Sequence, residues 1–197
     1  MIHKTAEVSD KAKIGKNVSV WQLTRIREGV QIGNDCIIGA NVYIDHNVKI
    51  GSKVKIQNNV LIYWGTEIED EVFIGPNVCI TNDRYPRAAT PNGKLKNKSD
   101  WKVGQVIIKK GASLGAGSIV VCPNKIGSYA MIGAGSVVTK PVQDYALLLG
   151  NPAKSVGFVC KFGHKGEVVA TDLKKTKFYC SKCRKNYISK NESISEN

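Results

Sequence analysis

The feature that most constrains this chain is an aliphatic residue at every sixth position. Ile, Leu or Val occupies each sixth position from Val8 to Ile80, and again from Ile108 to Val138. A period of six matches neither the 3.6-residue turn of an α-helix nor the two-residue alternation of a half-buried strand. It predicts an all-β fold, a parallel β-helix in which short β-branched strands alternate with tight corners.

The same repeat predicts the inside of the β-helix. Three hexads per coil make a triangular prism, in which the aliphatic residues point inward and residues eighteen apart stack on each other. Glycine follows the aliphatic residue eight times, as at Gly33 and Gly51, and we expect it to supply corner conformations that other residues avoid. Six coils at a strand spacing of about 4.8 Å give a rod roughly 30 Å long.

One segment, residues 81–107, interrupts the repeat. It contains six Lys or Arg residues against two Asp, a net charge of +4, and the tail 155–197 contains nine against four acidic residues, or +5, within a total of +13. Such charge indicates polyanionic ligands. The chain shows no recognition helix, aromatic-rich strand motif or long basic helix, so we expect no nucleic acid and favour a phosphorylated small molecule. We expect the interruption to be an extruded loop that carries the chemistry.

Three regions follow from these patterns. Residues 1–158 are expected to form the β-helix domain, residues 159–188 a zinc-ribbon-like hairpin, and residues 189–197 a disordered tail. No apolar run approaches the roughly 18 residues of a membrane helix, and the first residues lack the apolar core of a signal peptide. We therefore expect a cytoplasmic protein with no membrane insertion.

The sequence "IGAGSVVTKPV", followed by "GNPAKSVG", resembles the hexapeptide-repeat acyltransferases. The resemblance covers about residues 1–158 and implies a left-handed β-helix, a homotrimer, and acyl-coenzyme A bound between adjacent prisms. The left hand is implied by the resemblance alone, since crossover connections are in general right-handed.

Within that family, "KIQNNVLIYWG", "DEVFIGPNVCITNDRYPRA" and "GASLGAGSIV" resemble the branch that acylates amino sugars linked to a nucleotide diphosphate. The stretch is most similar to acetyltransferases of UDP-2-acetamido-3-amino-2,3-dideoxyglucuronate. The dTDP-3-amino- and 4-amino-dideoxyhexose acyltransferases are the close alternative. The resemblance thus implies acetyl-CoA as co-substrate, a nucleotide-linked amino sugar as acceptor, and a place in surface polysaccharide or glycan synthesis.

The chemistry of the loop agrees with an amine acceptor. Many relatives that acylate hydroxyl groups use a histidine of this loop as general base, but the histidines here are His3, His46 and His164, all outside it. A sugar hydroxyl needs a base. An amine beside electron-withdrawing oxygens has a pKa of roughly 8, so about a tenth of it is already neutral at pH 7.

Candidate residues for the acceptor lie at the start of the loop. Asn82 matches the asparagine that orients the amine in the resembling enzymes, and Asp83 is the nearest carboxylate that could hold the proton of the amine. Turn formation is the alternative role for both. Arg84 and Arg87 are candidates for a diphosphate or a sugar carboxylate, or else solvated loop charges.

Two further acceptor contacts and four cofactor contacts are expected. Gln57 and Tyr63 belong to the resembling stretch one coil below Asn82 and are candidates for contacts to sugar or base. Small residues after the loop leave room for pantetheine against the backbone, and two lysines near the end of the repeat are candidates for the phosphates of coenzyme A. These four residues are Ala116, Ala134, Lys140 and Lys154.

The tail contains a metal-ligand pattern. Cys160 and His164, then Cys180 and Cys183, have the spacing of a small zinc ribbon, with β-like sequence between the two pairs. Phe162 stands where some relatives have a second cysteine, so His164 would have to replace it. The alternative is a reduced, metal-free hairpin. Four protein ligands would make the zinc structural.

Two functions of another class fit the repeat. A zinc lyase like the γ-class carbonic anhydrases needs three histidines that converge, and His3 and His164 lie outside the central coils. A non-catalytic scaffold would not bind coenzyme A.

Overall fold

The computed structural model describes residues 1–97, 99–172 and 175–190, and its regular elements are all β-strands. Most of these strands form a parallel β-helix, and the last four extend it as an antiparallel ribbon. The all-β parallel β-helix is therefore confirmed, while its left-handed sense stays a prediction. Nothing in the described part of the chain forms a helix long and apolar enough to cross a bilayer.

Three faces make up the β-helix, and each coil adds one strand to each face. Face I contains β1 (Glu7–Val8), β4 (Arg25–Ile26), β7 (Tyr43–Ile44), β10 (Leu61–Ile62), β13 (Cys79–Ile80), β16 (Ile119–Val120) and β19 (Val137–Val138). Face II contains β2 (Lys13–Ile14), β5 (Gln31–Ile32), β8 (Lys49–Ile50), β11 (Thr66–Ile68), β14 (Val106–Ile108) and β17 (Asn124–Ile126). Face III contains β3 (Ser19–Val20), β6 (Ile37–Ile38), β9 (Lys55–Ile56), β12 (Phe73–Ile74), β15 (Ser113–Leu114), β18 (Met131–Ile132) and β20 (Ala146–Leu149). The corners between them are named I–II, II–III and III–I.

Strand pairing confirms the predicted coil. Ile62 pairs in register with Ile44 on one side and Ile80 on the other, so equivalent residues are eighteen apart. From Val20 onward, every predicted inward position is buried, with Ile62 and Ile80 fully so. Val8 and Ile14 are only partly buried, because they belong to the first coil. Cooperative stacking of β-branched side chains in this core is what stabilises the rod.

The interruption does not disturb the phase of the coil. Ile80 on face I pairs with Val120, and Ile68 on face II pairs with Ile108. The chain therefore leaves at the end of a face I strand and returns on face II, as at every other I–II corner. The insertion between β13 and β14, residues 81–105, contains one β-bridge among its described residues, Ala89 to Leu95.

The corner glycines have a different role from the one expected. The left-handed backbone conformation lies three positions after the aliphatic residue and is mostly adopted by other residues, such as Asn47 (φ 57°). The glycine that directly follows the aliphatic residue lies against the next coil. At Gly33, a Cβ would come within 2.7 Å of the carbonyl carbon of Gly51. These glycines permit close approach of the backbones, so the expectation of a conformational role for them is wrong.

The ribbon continues face III past the last coil. It consists of β21 (Lys154–Val159), β22 (Lys165–Thr171), β23 (Lys175–Cys180) and β24 (Lys185–Lys190), and β21 pairs antiparallel with β20. Stacked rings of Phe158, Phe178 and Tyr187 join the ribbon to Tyr145 of the last coil. Of the predicted disordered tail, Ser189 and Lys190 belong to β24, and residues 191–197 lie outside the described residues.

Candidate functional site

The I–II corner differs from the other two in its side chains. All eight glycines that follow an inward aliphatic residue lie at the II–III and III–I corners. The I–II corner carries larger residues at that position, and the insertion leaves the β-helix there. They are Ser9, Arg27, Asp45, Tyr63, Thr81, Val121 and Thr139. This edge is therefore where polar and aromatic side chains accumulate along the rod.

Asp45 organises the middle of this corner. The residue is 8% exposed, and Oδ1 accepts hydrogen bonds from Arg27 (3.2 Å), Tyr43 (3.2 Å) and the backbone N–H of His46 (2.8 Å). Oδ1 also lies 2.9 Å from Nδ1 of His46, and Oδ2 accepts from the backbone N–H of Trp64 at 3.2 Å. Burial by itself would raise the pKa of the Asp45 carboxyl group, but hydrogen bonds from the His46 ring and from the His46 and Trp64 amides outweigh it and lower the pKa.

Trp64 joins the β-helix to the insertion. Its indole ring lies between the His46 imidazole (4.8 Å between ring centroids) and Trp101 of the insertion (6.5 Å, edge to face). Such aromatic pairs stabilise by about 0.5–1.5 kcal/mol beyond the area they bury. This stack holds the returning half of the insertion against the I–II corner.

A large open groove lies between the insertion and the corner. Its volume is ≈ 920 Å³. Asp83 and Arg84 line it where the chain leaves the β-helix, and Trp101 and Gln105 line it where the chain returns. Pro123 and Thr139, from the next two coils at the same corner, complete the wall. The groove has the size of a small-molecule site, and the charged side chains in its wall, such as Asp83 and Arg84, are of the kind that orient a ligand.

Of the predicted acceptor residues at the start of the insertion, Asp83 and Arg84 line this groove, and Asn82 directly precedes them in the chain. The backbone carbonyl of Asn82 accepts from Gly104 N–H at 2.8 Å, which closes the base of the insertion. Asp83 Oδ1 accepts from Tyr85 N–H at 2.8 Å, the turn contact that its residue type favours. Arg87 is exposed, donates to the carbonyl of Pro86, and does not line the groove.

A second cavity adjoins the groove at the end of the rod. It measures ≈ 400 Å³ and is lined by both predicted phosphate ligands, Lys140 and Lys154. Thr139 lines this cavity and the groove alike. A ligand that lies along the I–II corner would therefore place an anionic end at the two lysines and its other end at Asp83 and Arg84.

The remaining predicted residues divide between two corners. Tyr63 follows face I and lies at the I–II corner, where burial raises the pKa of its hydroxyl group and its ring is 5.8 Å from Tyr43. Gln57, Ala116 and Ala134 follow face III strands and lie at the III–I corner. The Ala116 carbonyl accepts from Gly135 N–H of the next coil at 2.8 Å. A single chain thus does not bring the two alanines to the groove.

The cysteine and histidine residues of the tail converge. The ligand atoms of Cys160, His164, Cys180 and Cys183 all lie within 4.8 Å of one another. Cys183 Sγ is 3.4 Å from Cys160 Sγ and 3.5 Å from His164 Nδ1. Within one chain, the three histidines do not meet, since His46 contacts Asp45 and His3 contacts Thr5.

Asp45 was missed by the sequence reasoning, although the sequence carries a signal for it. The glycine after the inward aliphatic residue is absent from every third corner, and "IDH" at Ile44 to His46 is one such corner. When the hexads are grouped by their position in the coil, this edge stands out because none of its inward residues is followed by glycine. The hydrogen bonds among Arg27, Tyr43 and Asp45 all lie at this edge.

Family profiles match the repeat on both sides of the insertion. The profile described as bacterial transferase hexapeptide (six repeats) matches residues 11–46. The profile described as hexapeptide repeat of succinyl-transferase matches residues 29–64 and 105–140. The matched segments coincide with coils of the β-helix before and after the insertion.

Several acetyltransferases are similar to parts of the chain. The dTDP-3-amino-3,6-dideoxy-alpha-D-galactopyranose 3-N-acetyltransferase of Aneurinibacillus thermoaerophilus is 60% identical over 58 residues, 29% of this chain and 30% of that protein. The galactoside O-acetyltransferase of Lactococcus lactis subsp. lactis is 37% identical over 78 residues, 40% of this chain and 36% of that protein. The chain thus spans well under half of the length of these curated relatives.

Among solved structures, a mutant of AntD resembles the chain over most of both lengths. AntD is an N-acyltransferase from Bacillus cereus, solved with dTDP-4-amino-4,6-dideoxyglucose and coenzyme A. It is 26% identical, with a TM-score of 0.50 over 79% of this chain and 81% of that chain. WeeI from Acinetobacter baumannii AYE has the same TM-score at 22% identity over 78% of this chain and 56% of that chain, a likeness of fold alone.

Proposed function

We propose that the chain is an acyltransferase that transfers an acetyl group from acetyl-CoA to the amino group of a nucleotide-linked amino sugar. The observation that carries the proposal is the 60% identity over 58 residues to a dTDP-3-amino-sugar N-acetyltransferase. AntD, whose structure contains a dTDP-amino sugar and coenzyme A, shares the fold at 26% identity. The sequence motifs favour a UDP-linked acceptor, whereas both of these relatives act on or bind dTDP sugars. UDP- and dTDP-linked amino sugars are therefore equal candidates here.

The groove at the I–II corner supplies the acceptor site in this proposal. Asn82 orients the amine, while Asp83 at the mouth of the insertion holds the proton that leaves it. Arg84 lines the groove and pairs with the diphosphate, which suits the planar, bidentate guanidinium group. Arg87 is exposed outside the groove and is the weaker phosphate candidate.

The reaction is a nucleophilic substitution at the thioester. The neutral amine attacks the thioester carbonyl carbon, a C–N bond forms through a tetrahedral oxyanion, and the C–S bond breaks. The thiolate of coenzyme A leaves, and the proton released from the amine balances its charge. Since the amine is partly neutral at pH 7, the site's main contribution is to align the two substrates.

Coenzyme A would lie along the same corner. The cavity that adjoins the groove at Thr139 places Lys140 and Lys154 together, as a 3′-phosphate or pyrophosphate requires. In this proposal the anionic end of the cofactor lies at the end of the rod and its thioester points toward Asn82. In the proposal, coenzyme A therefore lies along the surface that runs from Asp83 past Thr139 to Lys154.

A trimer would unite the two corners that one chain keeps apart. Outward side chains on faces I and III include several apolar ones, whereas those of face II are mostly polar. The apolar ones are Tyr43, Leu61, Ile119 and Val137 on face I, and Ile37, Phe73 and Met131 on face III; the polar ones on face II are Lys13, Gln31, Lys49, Glu67 and Lys125. Packing face I of one copy against face III of another would bring Gln57, Ala116 and Ala134 to a neighbouring groove.

A thiol-release assay tests the proposal. Acetyl-CoA is supplied with UDP- and dTDP-linked 3-amino and 4-amino sugars, using the wild type, Asn82→Ala, and Asn92→Ala as a control on the exposed part of the same insertion. We expect turnover of one sugar class, a loss of 100-fold or more for Asn82→Ala, which is the size of a lost positioning contact, and little change for Asn92→Ala.

The assay separates the ways of being wrong. Equal loss in both variants would show that the insertion is only structurally perturbed and would remove Asn82 from its role. No turnover of any amino sugar, with coenzyme A still bound in calorimetry, would overturn the acceptor class. No binding of coenzyme A would overturn the acyltransferase itself in favour of a scaffold.

A further inference from the structure

The geometry of the C-terminal ribbon points to a structural zinc ion bound by Cys160, His164, Cys180 and Cys183, and we propose that this ion clamps the ribbon over the last coil of the β-helix. The inference is independent of the acyltransferase reaction. It concerns a cluster that lies away from the I–II corner, at the turns of the antiparallel ribbon.

The four ligands come from two turns that face each other. Cys160 directly follows β21 and His164 directly precedes β22. The turn between them is closed by hydrogen bonds from Cys160 N–H to the His164 carbonyl and from Gly163 N–H to the Cys160 carbonyl, both 2.8 Å. Cys180 and Cys183 frame the turn between β23 and β24. Two such short turns, each with two ligands, are the usual framework of a four-coordinate zinc site.

Both turns contain a residue with a positive backbone φ. Gly163, just before the histidine, and Arg184, just after the second cysteine, each adopt a positive φ, 80° and 54°. Arginine reaches this region at a conformational cost of about 1–2 kcal/mol.

The spacing and burial of the ligand atoms suit a tetrahedral ion. Their mutual distances are within 4.8 Å, and two ligands about 2.3 Å from one zinc lie up to roughly 4 Å apart. Cys160 and Cys180 are buried and Cys183 and His164 half-buried. Three thiolates and one imidazole are soft and borderline ligands that select zinc over calcium or magnesium.

The surrounding charge complements such a site. Zinc with three thiolates and a neutral imidazole carries one net negative charge. Lys182, Arg184 and Lys185 flank the second turn, and Lys161 flanks the first. Lys161 Nζ lies 4.9 Å from the ring centre of Tyr129, on the β-helix.

The clamp follows from what the ribbon covers. Past β20 the last coil has no further coil to pair with, and an open strand edge invites association with other chains. The ribbon occupies that edge through β21, and Ser189 Oγ donates to the Asp144 carbonyl at 2.6 Å. The ring stack of Phe178 and Tyr187 secures the ribbon at Tyr145. The four-ligand cluster adds a direct link between the two turns, beside the strand pairing of β22 with β23.

Metal content is the first test. The full chain is produced in zinc-supplemented medium, and bound metal is measured by mass spectrometry for the wild type, Cys160→Ser, Cys183→Ser, and Cys122→Ser as a control cysteine buried in the β-helix. We expect about one zinc per chain in the wild type and Cys122→Ser, and at least a fivefold loss in the other two. Cobalt(II) added to the metal-free protein should give the visible bands of a tetrahedral thiolate site.

Other outcomes overturn the site. Metal-free wild type with all cysteines titrating as free thiols would show a bare hairpin, and a disulfide between Cys160 and Cys183 in peptide mapping would show a redox pair instead. Full zinc content in Cys160→Ser would show that Cys160 is not a zinc ligand. Because Cys183 is only half-buried, Cys183→Ser remains informative if the Cys160 variant does not fold.

Hydrogen exchange tests the clamp. Removal of zinc by a chelator should raise amide exchange at least tenfold in residues 155–190, while the β-helix strands from β1 to β18 keep their protection. Unchanged exchange in the ribbon after complete metal removal would overturn the clamp role. The same measurement on Cys122→Ser should reproduce the wild type.

Discussion

Asp45 and His46 are adjacent in the chain and form a contact with each other, Oδ1 to Nδ1 at 2.9 Å. Adjacent side chains on a strand point to opposite faces, but these two residues follow β7 at the I–II corner, where their side chains contact each other. The carboxylate therefore fixes the imidazole ring against Trp64, on which the insertion packs. Through Trp64, the pair connects the I–II corner to Trp101 in the wall of the groove.

Replacing Asp45 with Asn should destabilise the protein in a pH-dependent way. The variant keeps the shape but loses charge-assisted hydrogen bonds to Arg27 and His46, so we expect the free energy of unfolding to fall by about 1–3 kcal/mol at pH 7. The folded-state pKa of Asp45 is lowered, so its contribution is present above the ordinary value of about 3.9 and is lost as pH falls through the lowered folded value.

Denaturant unfolding at pH 7 and near pH 3 measures this difference. The gap between wild type and Asp45→Asn should shrink on acidification, with the exposed Asp10→Asn as control. The groups that face the carboxylate are Arg27, Tyr43 and His46. A gap that stays constant with pH would mean that packing, rather than charge, stabilises this corner.

Replacing His46 with Gln should have a small effect on turnover of an amino sugar. If the amine needs no general base, we expect kcat/KM to fall by less than about tenfold. Because about a tenth of the amine is already neutral at pH 7, deprotonating the rest would gain at most that factor. Steady-state pH profiles of kcat/KM provide the measurement, with Asn82→Ala as the variant expected to lose far more. A 100-fold loss together with a missing acidic limb would instead make His46 a general base.

Replacing Lys140 or Lys154 with Gln should raise KM for acetyl-CoA by roughly tenfold, the value of one charge-assisted hydrogen bond to phosphate. KM is compared for acetyl-CoA and its 3′-dephospho form. The lysine that contacts the 3′-phosphate should lose its effect on the dephospho substrate. Lys13→Gln on face II is the control. Equal effects of all three substitutions would mean that KM for acetyl-CoA depends on the overall charge of the protein and not on these two lysines.

Two glycines of one corner should respond differently to alanine. A Cβ at Gly115 would meet the backbone of Ile132 to Ala134 in the next coil, at 2.5 Å from the Ala134 nitrogen, whereas a Cβ at Gly117 would meet nothing within 4 Å. Gly117 has a φ of +66°, so Gly117→Ala should cost about 1–2 kcal/mol. Gly115→Ala should cost more, because backbone must move. Thermal unfolding distinguishes them, and equal shifts would mean that the coils separate freely.

Much of the fold could be read from the chain because a β-helix is locally repetitive. Each inward aliphatic residue pairs with another inward aliphatic residue eighteen positions away, as Ile62 does with Ile80. The six-residue period is therefore enough to locate the core. The metal-ligand pattern was equally visible, since Cys180 and Cys183 lie in one turn and their spacing is a property of that turn. In both cases the relevant geometry spans few residues or repeats.

What the sequence by itself determined is the coil, its core and the place where the repeat is interrupted, because backbone periodicity and burial act on near neighbours. Only the tertiary structure decided which corner each candidate occupies. It separates Ala116 and Ala134 from Asn82, brings Lys140 and Lys154 to one cavity, and makes Asp45 the centre of a network with Arg27 and Trp64. Those relationships join residues from different coils and faces, and they depend on the phase of the coils across the insertion and on hydrogen bonding and packing between coils.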